Sequence, residues 1–492
     1  MSILRPQNEP VKWLDFIYLR DALDAAGCPI CTLAERAAYR YLDNLFYENV
    51  TDPGVRLRLY DSLGFCNRHA WLATRIPHTS MGIAIIYEDL LRRIIDRIDS
   101  LRDRTTGQSP PRWLLANGRR QNSSPILAVK AGCPTCQTAG FDERLFVGEL
   151  LRWFADAELG AAFERSFGLC LPHLELALRE FPNHPQLPAL LQAQRQKFAA
   201  VRAELQEFHR KRDDRSANEP QGAQQPAWRR ALELFVGKRE VFHRGRSQRE
   251  KGSAPNLIFR REASTSKSLP FDRLRDALDA DHCVLCAMIR REREPQMTML
   301  FHRGTLDAGI RRALQCAGGF CNAHGWLAAR TSAASAVVAT VYGELLETVI
   351  ERTAAFPEPS KARGKRRRTE APSLYPVPAN CPVCDWDSST ETLCLSSLLD
   401  FFDDPDFASK YRDSFGICLP HLQMALNERT NHAKLPRLLH AEREKLAALG
   451  AELREFIRKH DYRYADEPKG REQTSWTRIV EKFVGQRETT GR

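Results

Sequence analysis

Twelve of the chain's 14 cysteines stand in one recurring pattern, and each repeat of it carries a histidine. Cys28-Pro-Ile-Cys31 is followed by Cys66-Asn-Arg-His69, and Cys133-Pro-Thr-Cys136 by Cys170-Leu-Pro-His173. Cys283-Val-Leu-Cys286 is followed by Cys321-Asn-Ala-His324, and Cys381-Pro-Val-Cys384 by Cys418-Leu-Pro-His421. The step from the second cysteine to the third is 35, 34, 35 and 34 residues. A closed zinc site takes four tetrahedral donors, thiolate and imidazole among them. Cys-x-x-Cys brings two sulfurs together, and Cys-x-x-His on the first turn of a helix puts residues i and i+3 on one face. A helix N-terminus also favours the thiolate, the ligating form. The expectation is that each Cys-x-x-Cys closes with the Cys-x-x-His that follows it, giving about four zinc ions per chain. A filled coordination sphere makes such a site structural, because catalytic zinc keeps a position for water.

Other chemistries for these residues separate by context. Disulfides leave the paired histidines unexplained. Haem attachment needs histidine directly after the second cysteine, where Thr32, Gln137, Ala287 and Asp385 stand. A thioredoxin-like role needs a βαβ setting that the pattern does not provide. Iron–sulfur ligation by three cysteines and a histidine stays open on spacing alone. Cys394 falls where the preceding quarter pair has Phe146, which suits a small buried hydrophobe, and Cys316 aligns with Asp61 as a surface thiol. No Gly-rich phosphate loop, nucleophile elbow or His-Glu-x-x-His occurs, so no residue is assigned a catalytic or cofactor-binding role.

The elements that must hold these donors are helical. Leu33, Ala37, Tyr41 and Leu45 recur at helical spacing after Cys31, and Ile83, Ile86, Leu90, Ile94 and Ile98 mark a second amphipathic helix. Leu187, Leu191, Gln194, Phe198, Val201, Leu205 and Phe208 step 4-3-4-3-4-3, as do Leu435, Leu439, Glu442, Leu446, Leu449, Leu453 and Phe456. Such a seam serves either an intramolecular helix hairpin, the favoured reading, or a homo-oligomeric coiled coil with Gln194 and Glu442 setting register. Asp52, Asp156, Asp307 and Asp404 each stand 14 residues before the third cysteine and are expected to cap a short helix. His184 and His432 precede Leu187-Pro188 and Leu435-Pro436, a pattern expected of a helix-connecting turn. Tyr87 with Asp89 matches Tyr342 with Glu344, read as packing plus a solvated face.

The halves repeat one another. The segment from Phe208 through Asn218-Glu-Pro and Trp228 to Phe235-Val-Gly-Lys-Arg-Glu240 returns as Phe456 through Asp466-Glu-Pro and Trp476 to Phe483-Val-Gly-Gln-Arg-Glu488. The fold class is therefore all-α, a tandem duplication of a helical unit in which each half carries two metal-pinned modules. The modules are placed at 1–104, 128–241, 269–356 and 379–490, with 242–268 as a basic linker.

The 492 residues carry a formal charge of +11, concentrated in three segments rich in Pro, Gly, Ser or Asn. Residues 102–130 hold +5, 242–268 hold +5 and 356–380 hold +4. They suit solvated spacers, and residues 361–368, Lys-Ala-Arg-Gly-Lys-Arg-Arg-Arg, could attract nucleic acid in a salt-dependent way. No run approaches the ~18 apolar residues of a membrane span, and the first 20 residues lack the apolar segment of a secretory signal.

Cys28-Pro-Ile-Cys31 with Gly64-Phe65-Cys66-Asn-Arg-His69, and Cys133-Pro-Thr-Cys136 with Gly168-Leu169-Cys170-Leu-Pro-His173, resemble an uncharacterised bacterial family of helical proteins. Both halves carry the resemblance, with Val284 replacing proline once. It implies a bacterial, cytoplasmic protein and brings no activity with it. The residues themselves point first to a zinc-stabilised scaffold or adaptor that meets protein partners and no membrane. An iron–sulfur or thiol redox protein is the second class, and a nucleic-acid-associated protein the third.

Overall fold

The computed structural model describes residues 14–105, 129–212, 226–242, 271–303, 307–331, 333–355, 374, 380–428, 432–464 and 466–487. Most of the three basic segments, including residues 361–368, lies outside these. Every regular element among the described residues is helical. The first half contains α1 (Leu14–Leu23), α2 (Pro29–Glu48), α3 (Pro53–Ser62), α4 (Asn67–Ala73), α5 (Ser80–Thr105), α6 (Pro134–Trp153), α7 (Ala157–Arg165), α8 (Leu171–Glu180), α9 (Leu187–Arg210) and α10 (Ala227–Val236). The second repeats the order: α11 (Phe271–Ala277), α12 (Val284–Arg303), α13 (Ala308–Cys316), α14 (Asn322–Ala328), α15 (Ala334–Ala354), α16 (Pro382–Phe401), α17 (Pro405–Asp413), α18 (Leu419–Glu428), α19 (Leu435–Arg458) and α20 (Ser475–Val484).

Local chemistry sets these boundaries. Asp52, Asp156, Asp307 and Asp404 are N-caps whose carboxylates accept backbone N–H bonds, from Val55, Glu158 and Leu159, Gly309 and Ile310, and Phe407 respectively. Proline opens α2, α3, α6, α16 and α17, where its missing N–H costs nothing. His184 Nδ1 accepts from Gln186 N and His432 Nδ1 from Lys434 N, so both histidines shape the turn before a heptad helix.

The packing exchanges parts between the halves. α9 lies against α15 and α10 of the pair, while α19 lies against α5 and α20. The heptad helices therefore pack intramolecularly, each on the following helix of its own module and more extensively on a helix of the other half. Each packs on the long helix of the opposite half: Gly450 on α19 faces Leu91 on α5, and Leu205 on α9 faces Gly343 on α15. Two apolar cores result. One combines α1, the start of α2 and α7–α10 with α13–α15; the other combines α3–α5 with α11 and α17–α20.

The tail of each α10-type helix completes the exchange. Asn322 Nδ2 donates to Val236 O (2.7 Å) and Lys238 O (2.9 Å), and Trp326 Nε1 donates to Gly237 O (2.9 Å). In the mirror arrangement Asn67 Nδ2 donates to Val484 O (2.7 Å) and Gln486 O (3.0 Å), and Trp71 Nε1 to Gly485 O (3.0 Å). The repeated Phe-Val-Gly motif is thus a strap that the Cys-Asn-x-His helix of the other half reads through its backbone.

Because each core needs both halves, chains 1–242 and 271–492 produced together are expected to co-elute at 1:1 in size-exclusion chromatography. Either one alone is expected to self-associate or aggregate. A single half that runs as a monomer with full helical circular dichroism would contradict the exchange.

Candidate metal centres

The donors do not gather as the order of the motifs suggests. Cys28 and Cys31 meet Cys170 and His173, whereas Cys66 and His69 meet Cys133 and Cys136. In the second half Cys283 and Cys286 meet Cys418 and His421, and Cys321 and His324 meet Cys381 and Cys384. All sixteen residues take part, and the donor atoms of each set lie within 4.8 Å of one another. The expected closure of each Cys-x-x-Cys on the next Cys-x-x-His is corrected to a nested pairing in each half, first motif with last and second with third.

Helix length is the physical reason. α2 and α6 each have 20 residues, about 30 Å, and pack together. The start of α2 shares a core with the end of α6, while the end of α2 shares the other core with Cys133, so the pair is antiparallel. The chain leaves Cys28 and Cys31 at one end, and α3 and α4 deliver Cys66 and His69 at the other. Only α6, starting there with Cys133 and Cys136, can join them. Its far end returns to Cys28, where α7 and α8 deliver Cys170 and His173. Each half therefore has an inner site at the start of α2 or α12 and an outer site at the start of α6 or α16.

Six of the eight leading cysteines of these motifs stand at a helix N-cap, Cys28, Cys66, Cys133, Cys170, Cys321 and Cys381, and Cys283 and Cys418 directly precede α12 and α18. Both half-sites thus present thiols to helix N-termini, which favour the anion. In the first inner site His173 Nδ1 lies 3.4, 3.5 and 3.2 Å from Cys28, Cys31 and Cys170 Sγ. Cys31 and Cys170 sulfurs are 3.7 Å apart. In the outer sites Cys66 and Cys136 sulfurs, like those of Cys321 and Cys384, are 3.6 Å apart. All fourteen cysteines are free thiols.

Crowding divides the protons unequally. Burial pushes Cys31 up to about 11 and Cys170 well above the usual thiol value. Burial acts the same way on Cys28, but hydrogen bonds with Cys170, Cys31 and His173 outweigh it and hold Cys28 well below that value. Burial would lower His173, yet the Cys31 and Cys28 charges raise it well above an ordinary imidazole. In the first outer site the neighbouring Cys133 pushes Cys136 up to about 12, while burial lowers His69. Each set thus holds a thiolate among protonated neighbours, and a bound cation would take the place of those protons.

A glycine shapes the approach to every third cysteine. Gly64, Gly168, Gly319 and Gly416 all have positive φ, between 77° and 86°. A Cβ at Gly168 would come within 2.5 Å of Lys197 and one at Gly319 within 2.5 Å of Tyr342. The following residue is then held by a long helix of the core. Gln194 accepts from Leu169 N (2.8 Å) and donates to Leu169 O (2.9 Å). Glu442 accepts from Ile417 N (3.0 Å), and Tyr342 Oη accepts from Phe320 N (2.9 Å). The polar heptad positions therefore support the ligand loops; the expected register role in a coiled coil is not what they perform. Glu442 is fully buried, neutralised by Lys482 Nζ at 2.6 Å and by Tyr411 Oη, which donates to it. The first half has Gln194, Leu234 and Phe163 at those places, a neutral solution to the same task.

Several supporting residues gave little signal in the sequence. Glu481 accepts from Cys283 N (3.0 Å) and pairs with His282 (2.8 Å). Its equivalent Glu233 is pushed up to about 7 by burial and then by Cys28. Each was a lone carboxylate on a strongly apolar helix, retained in both halves, which was the available clue. Cys394 is fully buried as expected, and Cys316 is half-buried at the end of α13.

The nested pairing has a counting test. Cys66→Ser combined with Cys133→Ser should remove one metal equivalent, while Cys28→Ser combined with Cys66→Ser should remove two, read by elemental analysis. The reverse counts would restore the sequential pairing.

No curated protein and no solved structure matches the chain. A family model described as a family of unknown function (DUF6062) matches residues 12–241 and again 271–490. Those two spans coincide with the two ten-helix units, so the chain belongs to this family and contains two fused copies of its domain.

Proposed function

We propose that this protein is a zinc-binding helical scaffold, with four structural three-cysteine, one-histidine sites, that acts through contacts with other proteins in the bacterial cytoplasm. The observation that carries the reading is the size of the donor sets. A tetrahedral ion with zinc–sulfur bonds of ~2.3 Å needs sulfurs about 3.8 Å apart, and the paired sulfurs here are 3.6 to 3.9 Å apart. A multi-iron cluster spreads its four protein ligands over two or four irons and needs a wider donor set, so a single ion suits these sites better. Four protein donors fill the sphere and leave no place for a substrate or water.

The ions would act on folding. Each joins the N-termini of two helices from different modules, and site binding energy of order 10 kcal/mol is folding energy in such systems. A partner surface is supported by α1 and α6, which pack together while turning Leu14, Ile17, Phe141 and Leu145 to solvent. No helix among the described residues is long and apolar enough to cross a membrane.

Protein purified without oxygen is expected to contain about four zinc per chain and to lack absorbance at about 400 nm. Chelation should lower both the melting temperature and the helical circular dichroism. Stoichiometric iron, or a metal-free protein that melts unchanged, would overturn the reading. Because the ligands bind as thiolates and neutral imidazole, protons compete with the metal. Zinc should be retained at about pH 7.5 and released progressively as the pH falls towards 5, measured by dialysis and elemental analysis.

A further inference from the structure

The four sites are built alike but supported differently. His324 Nε2 lies 3.0 Å from Asp387, and Arg293 grips the same carboxylate from Nε and Nη2 at 3.0 and 2.7 Å. Both residues are buried between α12 and α16. Such a carboxylate fixes the imidazole for its ion and raises its basicity. At the inner sites, Glu143 and Glu391 stand 3.8 and 3.7 Å from Nε2 of His173 and His421. Nε2 of His69 is buried without a hydrogen-bond partner among the described residues, as it is in His173 and His421, but His69 differs in having no carboxylate within ion-pair distance among the described residues. The sequence explains why. Ala38 and Ala139 occupy the places of Arg293 and Asp387 in the first half.

Access follows the same division. All ligands of the two inner sites are buried, and the outer site of the second half is half-buried at most. The first outer site has Cys66 and Cys133 half-buried and Cys136 exposed. Its ion would therefore be held by an unsupported histidine and a thiolate that solvent reaches.

We propose that the site of Cys66, His69, Cys133 and Cys136 is a metal-exchange site, giving its ion to soft donors in solution, while the other three sites hold theirs as structure. The proposal rests on the metal-binding reading above. The acceptor class is a thiolate or chelating ligand. In the exchange step the incoming thiolate bonds to the ion, the Cys136 sulfur leaves and takes a proton from solvent, and the ion keeps its 2+ charge. Arg293 and Asp387 are positioning residues that withhold this behaviour from the equivalent site of the second half.

The test uses full-length protein. Total metal is measured first; a content other than about four equivalents tells against the metal-binding reading itself. A chromophoric zinc chelator is then added and release is followed in time. One equivalent should leave in a fast phase and three slowly. Cys136→Ser should abolish the fast equivalent and leave three slow ones, with helical circular dichroism retained. Arg293→Ala with Asp387→Ala recreates the first half's residues without leaving an unpaired buried charge. That double variant should convert a second equivalent to fast release, accelerated about 10- to 100-fold, the usual effect of losing such support. Release of all four in one phase, a fast equivalent that survives Cys136→Ser, or no second fast equivalent in the double variant would overturn the proposal.

Discussion

Three thiols and an imidazole confined within 4.8 Å of one another set the terms for the rest of this molecule. Such a group divides its protons unequally. Cys28 and Cys283 are driven towards the thiolate while Cys170 and Cys418 are driven away from it, and His173 and His421 are driven towards the cation. Buried charge of this kind persists only when paired or bound to metal. The surrounding helices respond by aiming N-termini at the sulfurs and by fixing the loops that carry them. Gln194 and Glu442 spend buried polar atoms on the residue before the third cysteine, at positions where an apolar residue would otherwise fill the core.

The second organising feature is the exchange between halves. The strap after α10 touches its own inner site, where Lys238 N lies 3.5 Å from Cys31 Sγ. The same strap is read by Asn322 and Trp326 on the helix that carries His324 of the opposite outer site. An inner centre of one copy is thereby tied to an outer centre of the other through three residues of backbone. Duplication made this arrangement intramolecular, so the two copies are one cooperative object despite their separate sequences.

The copies have also diverged in how they support equal geometry. The second half uses ionised groups: Arg293 with Asp387, and Glu442 with Lys482. The first uses Ala38, Ala139, Gln194 and Leu234 at those places. A buried pair fixes geometry well but tolerates no loss of either member; small apolar residues pack simply and leave His69 without a carboxylate. That difference, set outside the ligands themselves, separates sites that their motifs make look identical.

Much of this was legible in the residues. The sixteen ligand candidates, the helical class, the duplication and the four capping aspartates all follow from spacing, because ligand offsets and caps are local and a helix reports its period over a few turns. The partners of each ligand pair were decided only by the tertiary structure. A motif near in sequence is not near in space when a rigid rod of 20 residues runs between, and Cys66 lies at the wrong end of α2 to reach Cys28. The same holds for α9 and α19: their apolar stripes are written in the sequence, but a stripe names no partner. The opposite half supplied it, because α5 and α15 are the long apolar faces that the nested sites leave within reach.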